Sequence, residues 1–376
     1  MRVVVGREGH PRDRRVPLVP GGVEKLVQLG AQVVVEKGLG AHIGYSDEDY
    51  RKAGAEVAED RGELFSGAEI VLRLNPPSLE EVDELPEGCM LIGFLEPFQH
   101  RDLLDLLARR HITALCMELI PRTTVAQKMD ALSSQANLAG YVSVILAAEA
   151  LDKIFPMMST PAGTIPPARV FVIGAGVAGL QAIATAKRLG AIVEAYDTRP
   201  VVEEQVRSVG GRFVKIDLGE TGETEQGYAK ELTPEQLARQ REAMARFCER
   251  ADVVITTAQV FGKQAPRIVT RDMVERMRRG SVIVDLAVET GGNVEGSQPG
   301  EIVSCGGVKI IGLSPFPARV ALDASRVYSS NLVNLISHYW DKEAKRFVLR
   351  TDDQIIRSCL VTHQGAVVHH WFQDQA

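Results

Sequence analysis

Three glycines, Gly174, Gly176 and Gly179, stand in G-x-G-x-x-G spacing directly after the apolar run RVFVI. The first glycine permits a tight turn, the second lets backbone approach a pyrophosphate, and the third lets a helix pack closely on a strand. The turn from Gly174 through Ala175, Gly176, Val177 and Ala178 to Gly179 would open a helix. The free N–H groups and dipole at that helix's start favour an anion. About twenty residues on, a second apolar run ends at Asp197, followed by Thr198 and Arg199. An acidic group there accepts hydrogen bonds from ribose hydroxyls and repels a 2′-phosphate, so the pattern predicts NAD(H) rather than NADP(H). Arg199 pulls the other way, because a nearby arginine can accommodate that phosphate. Asp197 outweighs it by occupying the strand end itself. A strand-end turn residue is the bland alternative for Asp197, and the strand–glycine–helix context disfavours it.

A nicotinamide ring must give hydride to a second molecule or take it from one. The stretch PRTTVAQKMDALSSQANLAGYVSVILAAEAL is the next to bear on this. Wound as a helix over 125–153, it puts Val125, Met129, Leu132, Ala136 and Ala139 on one face. Gln127, Asp130, Ser134, Asn137 and Tyr141 fall on another, with Ser133 at its edge. Short hydrogen-bonding groups replace the Lys, Glu and Arg of a water-facing stripe. They suit either a polar ligand or inter-domain packing, and composition does not choose between the two. Arg122 lies just before, in a loop opened by Pro121. A further segment, 217–236, is long, acidic and glycine-rich with one aromatic, Tyr228. Segments of this kind are lids or solvated loops, and the lone Tyr228 favours a lid.

These groups need a scaffold. Apolar runs at 3–5, 32–36, 69–74, 90–95 and 113–117 alternate with amphipathic stretches such as 22–29 and 101–110. A second series lies at 170–173, 192–196, 252–256, 281–286 and 309–312. Strands alternating with helices predict parallel sheets covered on both faces. The expected fold is α/β, with two Rossmann-like doubly wound parallel-sheet domains. Long helices over 125–153 and 318–339 would join them, with the cofactor in the cleft. The expected domains are 1–138 plus 325–376, without a glycine fingerprint, and 139–324, the nucleotide-binding domain.

The chain has 376 residues, 45% hydrophobic, with net charge −6 and no basic tract, so nucleic acid is not an expected partner. The five cysteines, Cys89, Cys116, Cys248, Cys305 and Cys359, show no metal-like spacing and fit a reduced, cytosolic chain. No metal is expected; His369 and His370 beside Trp371 are read as incidental. The start, MRVVVGREGHPRDRR, reads as a strand and not a signal peptide. No uninterrupted apolar run approaches the ~20 residues of a membrane span.

PRTTVAQKMDALSSQANLAGY followed by GAGVAGLQAIATAKRLGA closely resembles the NAD(H)-binding domain of proton-translocating nicotinamide nucleotide transhydrogenases. RRVPLVPGGV, GYAKE, TTAQVFGKQAP, GSVIVDLAVETGGN and PARVALDAS add to the likeness, which covers nearly the whole chain. The resemblance implies that Arg122, Asp130 and Ser133 hold the nicotinamide end of NAD(H) and that Gln127 reaches towards a second nucleotide. It implies that Tyr228 folds over the cofactor, and it adds Ala258 to the cofactor-binding set. It further implies an NADP(H)-binding partner subunit and membrane-spanning subunits that move protons. This chain would then be a homodimer, peripheral on the cytoplasmic face. Hydride would pass from NADH to NADP⁺, driven by inward proton flow.

Alanine dehydrogenases share the fold and are the near competitor; a non-catalytic NAD-binding subunit is the other alternative. Reducing a keto acid needs a proton as well as a hydride. Alanine dehydrogenases carry a lysine and a histidine in the first domain, where this chain reads IVLRLNPP and LIGFLEPFQH. The first stretch offers Arg73 and Asn75 and the second Glu96, with His100 nearby. Arg15 matches a position that grips the substrate carboxylate in those enzymes. Transfer between two nicotinamide rings needs no acid, only contact between the rings and exclusion of water. The sequence therefore points to a second nucleotide on another chain.

Overall fold

The computed structural model describes residues 1–219 and 232–373, which divide into two compact units, 1–135 with 320–376 and 136–319. The first unit is built on an eight-stranded sheet. From one edge the strands run Ala366–Val367, Leu360–His363, Thr113–Cys116, Met90–Gly93, Ile70–Leu72, Arg2–Val5, Gln32–Glu36 and Glu56–Ala58. The six from Thr113–Cys116 onward are parallel; the two strands from the tail add an antiparallel edge. Val3, Val4, Val5, Ile70, Leu91 and Leu115 are wholly buried. Runs of apolar residues without alternation are what a parallel sheet covered on both faces requires. The helix Arg101–Arg109 closes part of one face with Leu103, Leu104 and Leu107.

The second unit carries a seven-stranded sheet in the order Arg212–Phe213, Ile192–Tyr196, Arg169–Ile173, Val253–Thr256, Val282–Asp285, Val308–Ile311 and Ile302–Cys305. All are parallel except the last, which pairs antiparallel with its neighbour. The chain leaves Arg169–Ile173 in one direction to build two strands. It then returns to the other side of that strand with Val253–Thr256. This reversal of strand order opens a crevice beyond the carboxyl ends of the two central strands, where open α/β sheets bind ligands.

The helix expected over 125–153 runs only from Ala131 to Ala150, preceded by a 3₁₀ turn, Gln127–Met129. Asp130 sets the start: its Oδ1 accepts from the Ser133 N–H at 2.9 Å, the bond of an N-cap to the third helical residue. Gln127 and Asp130 are therefore not part of a continuous helical stripe with Ser134, Asn137 and Tyr141. This helix bears on the membrane expectation without overturning it, because Ser133, Ser134, Gln135 and Asn137 interrupt its apolar run. It is long and apolar enough to cross a bilayer, yet nearly half of it is buried in the protein. Its Gly140 lies so close to the Ala178 carbonyl that any Cβ would overlap it. The second expected long helix is Ala321–His338, wholly within the first unit and entered through a 3₁₀ turn at Phe316–Val320.

Candidate functional site

Ile173 ends the central strand of the second unit, and the next residue, Gly174, turns with φ 96°. Left-handed backbone there explains why the first glycine is needed. The helix Val177–Arg188 starts at once, with Gly176 as its N-cap and no side-chain cap. A helix start without a side-chain acceptor leaves its first N–H groups for a ligand. Gly179 meets the Gly174 carbonyl so closely that a Cβ would overlap it. Sheet pairing brings Thr256 level with Ile173 across the switch point. Thr257 Oγ1 then donates to the Gly174 carbonyl at 3.1 Å. The turn is thus braced from the neighbouring strand.

That brace has a further layer that residue spacing does not single out. Asn293 clamps Ala258 from both sides: its Oδ1 accepts from the Ala258 N–H at 3.0 Å and its Nδ2 donates to the Ala258 carbonyl at 2.8 Å. Asp285, wholly buried, holds the Asn293 segment. Its carboxylate accepts from Thr256 Oγ1 and from the N–H groups of Ala287, Asn293 and Val294 at 3.0–3.3 Å. The stretch DLAVETGGN contains both residues, but nothing in their spacing reveals that one carries the other.

Asp197 ends the strand Ile192–Tyr196 beside this turn, and its carboxylate is already occupied. Oδ1 accepts from the N–H and Nε of Arg199, both at 2.9 Å. Oδ2 accepts from the Ala175 N–H at 2.8 Å and from Arg199 Nη2 at 2.9 Å. The ion pair is sheltered, with the side chains 6% and 13% exposed for Asp197 and Arg199. Thr198 between them is partly buried. Tyr228 and most of the segment expected to form a lid lie outside the described residues.

In the first unit, the segment before the long helix presents Arg122 and Gln127 exposed and Asp130 and Ser133 partly buried. It is anchored by buried Ala126 and Met129. Asn331 and Asn334, on the helix Ala321–His338, both donate to the Lys128 carbonyl, at 2.9 and 3.1 Å. Ser133 Oγ donates to Asp130 Oδ2 at 2.6 Å. Asp130 and Ser133 are therefore brought together, each holding the other in place.

Arg15 is locked. Its Nε and Nη2 bond Asp13 at 2.6–3.1 Å and its Nη1 bonds Gln135 Oε1 at 2.7 Å. The Arg15 and Asp13 side chains are 8% and 1% exposed. Asn75 Nδ2 reaches Asp13 at 3.4 Å, and Glu96 is exposed beside His100 at 3.5 Å. Two buried carboxyls lie elsewhere in this unit. Glu118 is buried, and desolvation lifts its carboxyl to about 7 despite bonds from Cys116 and the Leu95 and Glu96 N–H groups. Glu8 is also raised by burial, opposed by the Arg73 charge and the N–H groups of Leu74 and Asn75. The oxygens of both carboxyls already serve neighbouring donors.

Glu118 makes a stability prediction. The folded chain holds a proton there that the unfolded chain releases near the ordinary value of 4.5, so its contribution declines as pH rises from there to about 7 and is flat above. Glu118→Gln keeps the acceptor and removes the charge. Relative to wild type it should gain on the order of 1–3 kcal/mol between pH 5 and pH 8. Thermal melts at the two pH values check this, and parallel losses in both proteins would remove Glu118 as the cause. His369, in contrast, is buried against His370, Trp371 and Phe372, and desolvation lowers it to about 4. It stays neutral in an aromatic cluster that also takes in Phe98.

Residues 4–139 match the family description "Alanine dehydrogenase/PNT, N-terminal domain", and residues 143–370 match "Alanine dehydrogenase/PNT, C-terminal domain". The chain is 45% identical over 376 residues to an NAD(P) transhydrogenase alpha-subunit polypeptide of Rhodospirillum rubrum, covering 98% of each. It is 30% identical over 302 residues to an alanine dehydrogenase of Mycolicibacterium smegmatis, covering 80% of this chain and 76% of that one. A solved transhydrogenase from Sinorhizobium meliloti has a TM-score of 0.85 at 40% identity, over 99% of this chain and all of that chain.

Proposed function

Since the chain belongs to the alanine dehydrogenase/PNT family, among the transhydrogenase alpha subunits, we propose that it binds NAD(H) and exchanges hydride directly with NADP(H) on a partner subunit. C4 of one nicotinamide ring gives hydride to C4 of the other, and no proton enters the step. The glycine turn takes the pyrophosphate and Asp197 the adenosine ribose. Arg122, Asp130 and Ser133 orient the nicotinamide end, and Gln127 faces the second nucleotide. Proton movement belongs to membrane-spanning partner subunits, on whose cytoplasmic face this chain sits as a homodimer. Physiological transfer runs from NADH to NADP⁺.

The observation that carries this reading over an amino-acid dehydrogenase is the locked Arg15. A guanidinium already bound to Asp13 and Gln135 would have to break a sheltered ion pair to grip a substrate carboxylate, and truncating such pairs costs several kcal/mol. Arg73 and Asn75, and Glu96, are what this chain offers in the stretches where alanine dehydrogenases carry their lysine and histidine.

A single assay separates the two. NADPH and the acetylpyridine analogue of NAD⁺ are mixed with the chain, with and without an isolated NADP(H)-binding domain of a transhydrogenase. Reduced analogue absorbs apart from NADPH, so exchange is read directly. We expect exchange only when the partner is present. NADH oxidation by the chain alone with pyruvate and ammonium would replace this reading with the amino-acid dehydrogenase one.

A further inference from the structure

Resting on the reading of Gln127 and Asp130 as parts of the hydride-transfer site, we propose that Asn331 and Asn334 are positioning residues for that transfer. Their amides hold the Lys128 carbonyl and so set where Gln127 and Asp130 stand.

The segment has little of its own to fix it. Gln127–Met129 is a single 3₁₀ turn with no side-chain cap at its start. Inside it the Met129 N–H bonds the Ala126 carbonyl at 2.7 Å, and the Asp130 N–H reaches the Gln127 carbonyl only at 3.4 Å. Bonds of this kind are poor in geometry, and so short a turn leaves its last carbonyls to outside donors. The Lys128 carbonyl is one of these. Asn331 Nδ2 donates to it at 2.9 Å and Asn334 Nδ2 at 3.1 Å. A carbonyl oxygen has two lone pairs, so both are taken. Three residues apart on the helix Ala321–His338, the two asparagines share a face. That helix is itself tied down at several points. Ser325 Oγ and Ser329 Oγ accept from the Val16 and Val19 N–H groups at 2.9 and 3.3 Å, and Tyr328 Oη donates to the Arg73 carbonyl at 2.8 Å. All these groups lie in the first unit.

Stability does not account for Asn331. The residue is 5% exposed, and its Oδ1 has no donor among the described residues. A buried acceptor left without a donor costs at least as much as one hydrogen bond returns. A leucine, with the same branching and no polar atom, should serve the fold as well. What the amide adds is a fixed direction and distance from the helix to the Lys128 carbonyl, one residue from Gln127 and two from Asp130. Hydride transfer is sensitive to such placement, since a shift of about 1 Å can cost about a hundredfold in rate. The glycine turn and Asp197 belong to the second unit, so nucleotide affinity should depend little on the amides.

The test uses Asn331→Leu, Asn334→Ala and the double variant, with thermal melts, NADH titration and two further readouts. One is partner-dependent exchange at saturating nucleotide. The other is limited trypsin digestion: Lys128 is exposed, and the peptide bond trypsin would cut after it carries the clamped carbonyl. Asn331→Leu should melt no lower than wild type and bind NADH within about threefold of it. Its exchange should fall by about tenfold, and cleavage after Lys128, located by mass spectrometry, should quicken by a similar factor. Asn334→Ala should show the same changes more weakly, and it carries the test if Asn331→Leu does not fold. The double variant should lose more exchange than either. Unchanged exchange in the folded variants, whether or not cleavage has quickened, overturns the proposal, and so does a loss of exchange that only follows a loss of NADH binding. Quickened cleavage in the variants beside a wild type that shows no exchange with its partner is a different result: the clamp stands, and the proposed function falls.

Discussion

Gly179→Ala is expected to weaken NADH binding by about a hundredfold and to lower the melting temperature, whereas Gly176→Ala is expected to weaken binding with the melting temperature kept. The two glycines are three residues apart in one motif, and the structure gives them different jobs. A Cβ on Gly179 would overlap the Gly174 carbonyl and lie 3.3 Å from Thr257 Oγ1. The helix Val177–Arg188 must then move off the strand, taking its first-turn N–H groups with it. Each lost hydrogen bond to a charged group is worth about 1.5–3 kcal/mol, so loss of two accounts for the hundredfold effect. A Cβ on Gly176 meets nothing closer than Arg199 Nη2. The protein accommodates it, and the added methyl lies where a pyrophosphate would approach. NADH titration with parallel thermal melts reads both effects. If Gly176→Ala binds NADH as wild type does, the turn does not hold the pyrophosphate.

This contrast also shows how far the sequence could be read. The glycine turn and the two central strands beside it are dictated by local chemistry: a φ of 96° at Gly174, close helix–strand contact at Gly179, and unbroken apolar runs buried on both faces. The short strands Glu56–Ala58, Arg212–Phe213 and Ile302–Cys305 were not legible. Two to four half-exposed residues paired at a sheet edge carry no period of their own, and only their neighbours make them strands. The helix start at Ala131 was misplaced by six residues, 125 against 131, because a cap and a polar helical position look alike in sequence. The largest omissions are contacts between distant residues. Asn293 clamping Ala258, the two asparagines on the Lys128 carbonyl, and Gln135 holding Arg15 all depend on the tertiary fold. Residue type names the chemistry each could do; only its neighbour decides which it does.

Asp130 poses that question in its sharpest form, since the same carboxylate caps a helix and is proposed to orient a nicotinamide. Asp130→Asn separates the two roles. Asparagine is about as good an N-cap as aspartate. Its amide oxygen can keep the bond from the Ser133 N–H, and its NH₂ can donate to Ser133 Oγ once the hydroxyl turns to accept. The fold should therefore lose only a few tenths of a kcal/mol. The negative charge that would hold the nicotinamide end is gone, and with it a charge-assisted bond of about 1.5–3 kcal/mol. Partner-dependent hydride exchange should fall by about ten- to a hundredfold, since a ring out of line no longer meets its counterpart. Asp130→Ala, which removes the cap as well, should destabilise the chain by about 1 kcal/mol more than the asparagine variant and exchange no faster. Equal exchange rates for wild type and Asp130→Asn would leave Asp130 a capping residue only, and would shift the positioning of the ring onto Arg122 and Gln127.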